Sequence, residues 1–557
     1  MLEQLGRNRE NFLVKISSDI VRQALFIVLV TFAAYLPVLQ GNYLFHDDYY
    51  LLLVGGSCRN HPQYGAYVHE YGRPLGIFIK CFYASLFNDP SHANMARAIT
   101  LAAIALLGLL LYQAVKRELR SGSLGVLTAS AIITLPPFQV SASMFAVSTS
   151  IYAGLCGLLA AEQALKIDSM TRLSRGDVLH IIGGVALFTV ALLIYQPGAF
   201  LYMVPVALRL LYRSDPDYKA LVRRAFTALL PAAIGACLYF VWFSSSGSNR
   251  GSVVRDPLGK LHWFVTDVLP NVFSFWSLTP RVAGGVVFAV SLLSVSVLNI
   301  LWRSRRARIS PDDAQPIGVL ALKGVIVAGM TVAAFLPNLV AAEDLSTYHI
   351  LIALQPIVFV LGVCGLHQLS VLFSAPVDST RLSTWTVSGI LIRLVLVMAV
   401  GTGVATAHQN VNWLVVIPQT IELNYIREQL RAAIFTPVTT RSANGAVALS
   451  FEAVPHIHVV RPVGSLLTGM LRNRDEFGIM TSFFPQDVPW LVLAAMRELG
   501  FSSYTPSTKV TTGLDAVSFD SPEFMVHPAG RRMPVPEGSI VIDMNQIGVR
   551  WMIAEGG

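Results

Sequence analysis

The sequence predicts an α-helical polytopic membrane protein of about eleven transmembrane helices, N-terminus inside and C-terminus outside, closed by a soluble α/β domain on the outer face. Three observations carry this. Of 557 residues, 54% are hydrophobic and only 13% charged, where a soluble chain carries about 25% charge; mean hydropathy is +0.57. The apolar residues gather in stretches close to the ~20 that cross a bilayer. Lys and Arg concentrate in alternate connections, as the positive-inside rule requires.

The expected spans are 22–40, 97–115, 122–138, 144–163, 178–195, 197–212, 225–243, 281–302, 316–341, 347–372 and 384–407. The first runs directly into "QGNYLFHDD" without a small-residue cleavage site, so it reads as a retained signal anchor. The stretch 73–87, "RPLGIFIKCFYASLF", is apolar but short and carries Lys80. If it spans, every later loop inverts and "RSRRAR" (303–308) faces outward. If it lies at the interface, "KRELR" (116–120), 166–175, 209–224, 302–308 and the segment holding Arg381 all face inward. The second arrangement is adopted, with the N-terminal Arg7, Arg9, Lys15 and Arg22 inside. Lys323 then lies toward the inner end of its span, where snorkelling is the simplest account.

Two outer loops are long, 41–96 and 244–280. The second opens on a polar run and closes on "LHWFVTDVLPNVFSFW", an amphipathic helix at the membrane surface. From 408 the composition changes, dividing a membrane module (1–407) from an outer domain (408–557). In that domain 417–434 reads as a soluble amphipathic helix, 445–451, 456–462 and 538–544 as strands, and 488–501 as a further helix. The net charge of +8 invites a nucleic-acid reading, but its cations lie between apolar segments, so no nucleic-acid partner is expected. Of five cysteines, Cys156, Cys237 and Cys364 fall in apolar segments; Cys58 and Cys81 share the first outer loop, where a bridge is allowed but not required.

Chemistry is sought where polar residues crowd a membrane exit. "FHDDYYLLL" places Asp47 and Asp48 just past the first span. Carboxylates near low-dielectric surroundings have raised pKa values and suit general-base work, or hold a divalent cation; the alternative is simple solvation. In "HEYGRPLG" (69–76) Arg73 sits between Gly72 and Pro74, as a phosphate fork or as a cation snorkelling to lipid headgroups. "AAEDLSTYHI" (341–350) offers Glu343, Asp344, Tyr348 and His349 in a short outer turn. Loop 244–280 adds Arg250, Arg255, Lys260 and His262, cations on the side where the positive-inside trend disfavours them. No Walker, GxSxG, HExxH or zinc pattern is present, and the inner loops are too short for a nucleotide-sugar domain.

The acidic pair after the first span, the "GRP" of Gly72 to Pro74 in the same loop, interfacial helices there, and a terminal outer domain opening on "LNYIREQLRAAI" (423–434) resemble the polytopic GT-C glycosyltransferases. The likeness is greatest to the Gtr-type O-antigen glucosyltransferase (GtrII-like) group. It implies a GT-C-like fold and inverting transfer of a sugar from a polyprenyl-phosphate donor to a lipid-linked or cell-surface glycan acceptor, at the periplasmic face of a bacterial inner membrane. On that resemblance Asp47 or Asp48 is the general base, with Asp47 preferred. Arg73, Tyr348, His349, Arg250 and Arg255 hold the donor phosphate. His46, His69, Glu70, Glu343 and Asp344 bind sugar or acceptor. No cofactor is required, and Mg²⁺ or Mn²⁺ on Asp47 and Asp48 is allowed. The expected partners are the bilayer, the polyprenyl-phosphate sugar and the glycan. The rivals are a flippase for a lipid-linked sugar, an O-antigen-ligase-like or lipid A modifying transferase, and a scaffold in which the acidic pair is incidental. Flippase charges belong near mid-membrane, whereas these lie at the outer edge.

Overall fold

The computed structural model describes residues 2–45, 47–54, 71–86, 90–167, 174–213, 215–245, 253–278, 316–373, 387–435, 457–461, 510–511, 527–528 and 540–544, with isolated positions between 477 and 499. Among these, six helices are long and apolar enough to cross a membrane, or seven if one bent pair counts as a span. The expected span 281–302 and the expected strand 445–451 lie outside the described residues.

Helices Leu2–Gln40, Ala93–Leu119, Phe145–Ala164, Arg175–Ile194 and Tyr218–Ser244 follow the apolar runs. Arg97 and Arg117 bracket the apolar part of the second of these. Twenty residues at 1.5 Å each put them ~30 Å apart, the thickness of a hydrocarbon core. Leu25, Phe26 and Leu29 on the first helix, and Leu238, Phe240 and Val241 on the fifth, are exposed. Pro74–Ser85 is a 12-residue apolar helix, ~18 Å long and too short to span.

Several expected spans are not straight. The run 122–138 stops at Ile132, and Pro136–Ser143 departs at 59°. Pro136 forces Leu135 into extended geometry (φ −66°, ψ 155°), which ends the helix. Pro136–Ser143, which straddles the end of the expected span 122–138 and the connection to the next, forms a short, fully buried helix. The run 197–212 divides into Gln196–Ala199, a 3₁₀ turn Phe200–Tyr202, and Met203–Tyr212. This broken segment is interior and packs tightly: a side chain on Gly157 would meet the Ala199 carbonyl. Ile317–Ala333 is 17 residues long, shorter than expected for 316–341, and a separate turn Leu336–Val340 follows it.

The composition shift at 408 does not break the backbone. Val387–Val411, a π-helical turn Asn412–Val416 and Ile417–Phe435 form one long helix. Beyond it lies a small parallel sheet. Strand β1 (Ile457–Arg461) pairs with β2 (Val510–Thr511), β3 (His527–Pro528) and β4 (Ile540–Asp543). Tyr425 donates from its hydroxyl to the Asp543 carbonyl at 3.0 Å, joining this sheet to the long helix, and Glu422 Oε2 accepts from the Thr481 amide at 2.8 Å.

Lys323 does not snorkel. It is buried and pairs with the buried Asp215 at 3.0 Å, while donating to the Arg213 carbonyl at 2.8 Å.

Candidate active site

The first helix ends at Gln40, and the chain crosses a buried loop through Tyr43, Leu44 and Phe45 before Asp47–Val54 begins. Both aspartates lie in the first turn of that helix, where its positive dipole end favours carboxylates. Their environments differ. Asp47 is half-buried. Asp48 is fully buried, and its Oδ1 accepts the Ala146 amide at 2.9 Å from the turn that starts the Phe145–Ala164 helix. Its other oxygen, Oδ2, is buried without a hydrogen-bond partner among the described residues. Burial pushes the Asp48 carboxyl up to about 7. The Arg97 charge and the Ala146 amide pull it down, and Asp47 pushes it up again.

Arg97 is the residue the sequence reading missed. It stands at the start of the Ala93–Leu119 helix, fully buried. It donates to the carbonyls of Gly41 (3.2 Å) and Tyr43 and to Asn94 Oδ1 (3.1 Å), and lies 3.7 Å over the Tyr43 ring. It therefore fixes the loop that delivers Asp47 and Asp48. Tyr43 donates to the Ser143 carbonyl at 3.1 Å, and burial raises its hydroxyl to about 12. An arginine inside "NMARAITLAAIALL" was the available signal, because charge within an apolar run marks function or a buried partner.

The Asp47–Val54 helix packs against Pro74–Ser85, whose N-cap is Arg73. Arg73 donates from Nε to Gln196 Oε1 at 2.9 Å and stacks 4.3 Å over the Tyr195 ring. The His349 ring lies 6.1 Å from that of Tyr195. Two of the expected phosphate-binding residues, Arg73 and His349, thus meet around one aromatic ring. Gly72 makes the turn at φ +62°, and a Cβ there would approach the Phe243 ring and Tyr239 hydroxyl to 2.5 Å. Gly72→Ala is expected to cost ~1–3 kcal/mol from the left-handed backbone alone; an unchanged thermal midpoint of the purified variant would show that this turn does not hold Arg73.

Tyr348 does not join Arg73. It is buried, donates to the Leu278 carbonyl at 3.3 Å, and meets Phe477 edge-on at 5.8 Å. Its side chain is turned into the packing because it follows an extended Thr347 into a 3₁₀ turn. Glu343 and Asp344 are exposed, but their loop is clamped: Lys260 donates to the Glu343 carbonyl at 2.6 Å and pairs with Asp344 Oδ1 at 2.8 Å. A bridge between Val253 and Ala341 joins the same two segments. Arg255 is exposed. His46, His69, Glu70 and Arg250 lie outside the described residues.

Among the described residues no three His, Cys, Asp or Glu side chains stand close enough to hold a metal ion. Cys81 is disulfide-bonded, and Cys156, Cys237 and Cys364 are free; Cys58 lies outside the described residues.

No family model and no curated protein matches the chain. Solved structures similar to it include the apo oligosaccharyltransferase of Archaeoglobus fulgidus, at 13% identity and TM-score 0.39 over 79% of this chain and 62% of that one. The same archaeal enzyme, AglB, with an inhibitory peptide and a dolichol-phosphate superposes at 12% identity and TM-score 0.40, with the same coverage. ArnT from Cupriavidus metallidurans bound to undecaprenyl phosphate superposes at 12% identity and TM-score 0.36, over 84% of each chain. This chain thus spans less than two thirds of the archaeal enzyme's length. Superposition at this level leaves the chemistry to be read from this chain's own residues.

Proposed function

We propose that the chain is a membrane glycosyltransferase that moves a sugar from a polyprenyl-phosphate donor to a lipid-linked or cell-surface glycan, with inversion. The observation that carries this reading is the pairing of a carboxylate site with a cation site on two packed helices at one membrane edge. Asp47 is half-exposed beside the buried Asp48–Arg97 anchor, and the Asp47 helix packs on the helix capped by Arg73.

In the proposed reaction the acceptor hydroxyl oxygen attacks the anomeric carbon. Its proton passes to the Asp47 carboxylate, the bond from that carbon to the phosphate oxygen breaks, and polyprenyl phosphate leaves with its charge facing Arg73 and His349. Fixed cations at a developing negative charge supply much of the catalytic effect. Asp48 and Arg97 position Asp47 and do not touch the substrate. The disulfide at Cys81, in the same outer loop, supports an oxidising and therefore periplasmic side. The positive-inside pattern supports the same orientation in a bacterial inner membrane.

The experiment supplies purified protein with a labelled polyprenyl-phosphate hexose and a lipid-linked glycan. Transfer of label with inverted anomeric configuration is expected. No transfer from any polyprenyl-phosphate sugar, together with flux of lipid-linked sugar across vesicles, would overturn the reading in favour of a flippase.

A further inference from the structure

At the end of the bundle opposite Asp48, a cavity of about 170 Å³ opens between the ends of three helical segments. The Phe145–Ala164 helix measures the separation: its first turn carries the Ala146 amide that holds Asp48, and the cavity is lined by Ala164 and Leu165 past its last turn. The lining holds Arg209, Arg213, Arg223 and Arg224 and no carboxylate.

Among the described residues, nearby carboxylates pair with two of the four arginines and leave the other two unpaired. Glu118 pairs with Arg209 at 3.0 Å and also with Arg117. Asp215 pairs with Arg224 and with Lys323. Asp217 is exposed and caps the next helix through the Ala220 amide at 2.7 Å. Among the described residues, Arg213 and Arg223 have no ion pair. Like charges gathered around one small cavity repel one another and raise the local affinity for an anion. Guanidinium forks match phosphate oxygens in pairs.

The surroundings point to where that phosphate comes from. Val222 and Phe226, on either side of Arg223 and Arg224, are exposed and apolar, as is Tyr218 one turn earlier. The cavity therefore borders a lipid-facing surface, and basic pockets between helices at a membrane face suit anionic headgroups.

We infer that this arginine-lined cavity binds a phosphate group, supplied by the headgroup of an anionic phospholipid in the leaflet opposite the candidate active site or by a soluble phosphate. The inference is independent of the proposed transferase activity.

The test reconstitutes the full chain in nanodiscs of phosphatidylcholine with a minor fraction of phosphatidylglycerol, and reads retained lipid by native mass spectrometry. Wild type is expected to retain phosphatidylglycerol preferentially. The Arg213→Gln/Arg223→Gln variant is expected to bind it roughly 10- to 30-fold more weakly, the effect of two interfacial cations. Both side chains are exposed, so the fold is kept. Lys219→Gln, an exposed cation outside the lining, should leave retention unchanged. A second arm titrates inorganic phosphate into pure phosphatidylcholine nanodiscs. Binding there that the double variant loses, without any preference for phosphatidylglycerol, assigns the site to a soluble phosphate. Equal phosphatidylglycerol retention by wild type and double variant together with equal phosphate binding by both, or an equal loss in Lys219→Gln, overturns the site.

Discussion

Asp47→Asn is expected to lower sugar transfer by about 10²–10⁴-fold, the range lost when a general base is removed, with donor binding and thermal stability little changed. Asn keeps the size and helix-start preference of Asp but cannot take the acceptor proton. Asp48→Asn separates base from anchor. Its side-chain oxygen still accepts the Ala146 amide, so the local geometry is kept and the loss of transfer should be the smaller of the two. Normal transfer by Asp47→Asn would remove the base from the mechanism. A larger loss in Asp48→Asn would move the role to the buried residue.

Stability against pH gives a second, activity-independent signature of Asp48. Burial raises its carboxyl from 3.8 to about 7 in the folded chain. Between those values the folded state holds a proton that the unfolded state has released. The contribution to stability is therefore fully present below about pH 4 and is lost as pH rises through about 7. Asp48→Asn should flatten that part of the profile. Arg97 is the largest influence pulling the value down, so Arg97→Gln should move the window upward. Thermal midpoints across pH 4–8, read for wild type and both variants, check the shape.

The residues that were legible in the sequence are those whose chemistry is announced by their position. Asp47 and Asp48 stand out because two acids follow a span directly, and Arg73 because Pro74 opens a short apolar helix after it. Arg97 was hidden because a cation at the end of an apolar run looks like an ordinary flank; only the tertiary structure shows that the loop 41–43 folds over it. Tyr195 and Gln196, which hold Arg73, lie more than 120 positions away in a short turn between two apolar runs. The break at Pro136 was visible as a proline, but apolar counting runs straight through it, whereas the turn at Tyr195 falls where the expected spans 178–195 and 197–212 meet. The converse holds at 408, where polarity changes while the helix continues, because a helix leaving a membrane needs no new backbone geometry.

Asp215→Ala is expected to destabilise the fold by about 3–5 kcal/mol, the cost of removing one member of a buried charge group. Asp215 and Lys323 are both almost fully buried, and Arg224 engages the second oxygen of the same carboxylate. Removing the acid takes away the shared counter-charge of the partly exposed Arg224 and of Lys323, which cannot reach bulk water without moving. The cation side is predicted to be more forgiving. In Lys323→Met the apolar stem is kept and Arg224 still faces Asp215, so the loss should be clearly smaller than for Asp215→Ala. The two variants therefore form an unequal pair, and thermal midpoints in one detergent decide it. Equal losses would mean that Lys323 and Asp215 act only on each other, leaving Arg224 to solvent. A negligible loss for Asp215→Ala would mean that water reaches Lys323 and that the group is surface charge. The outcome bears on function as well, because this cluster fixes the end of Met203–Tyr212. That segment continues from Gln196–Ala199, whose Gln196 holds Arg73 at the opposite end of the bundle.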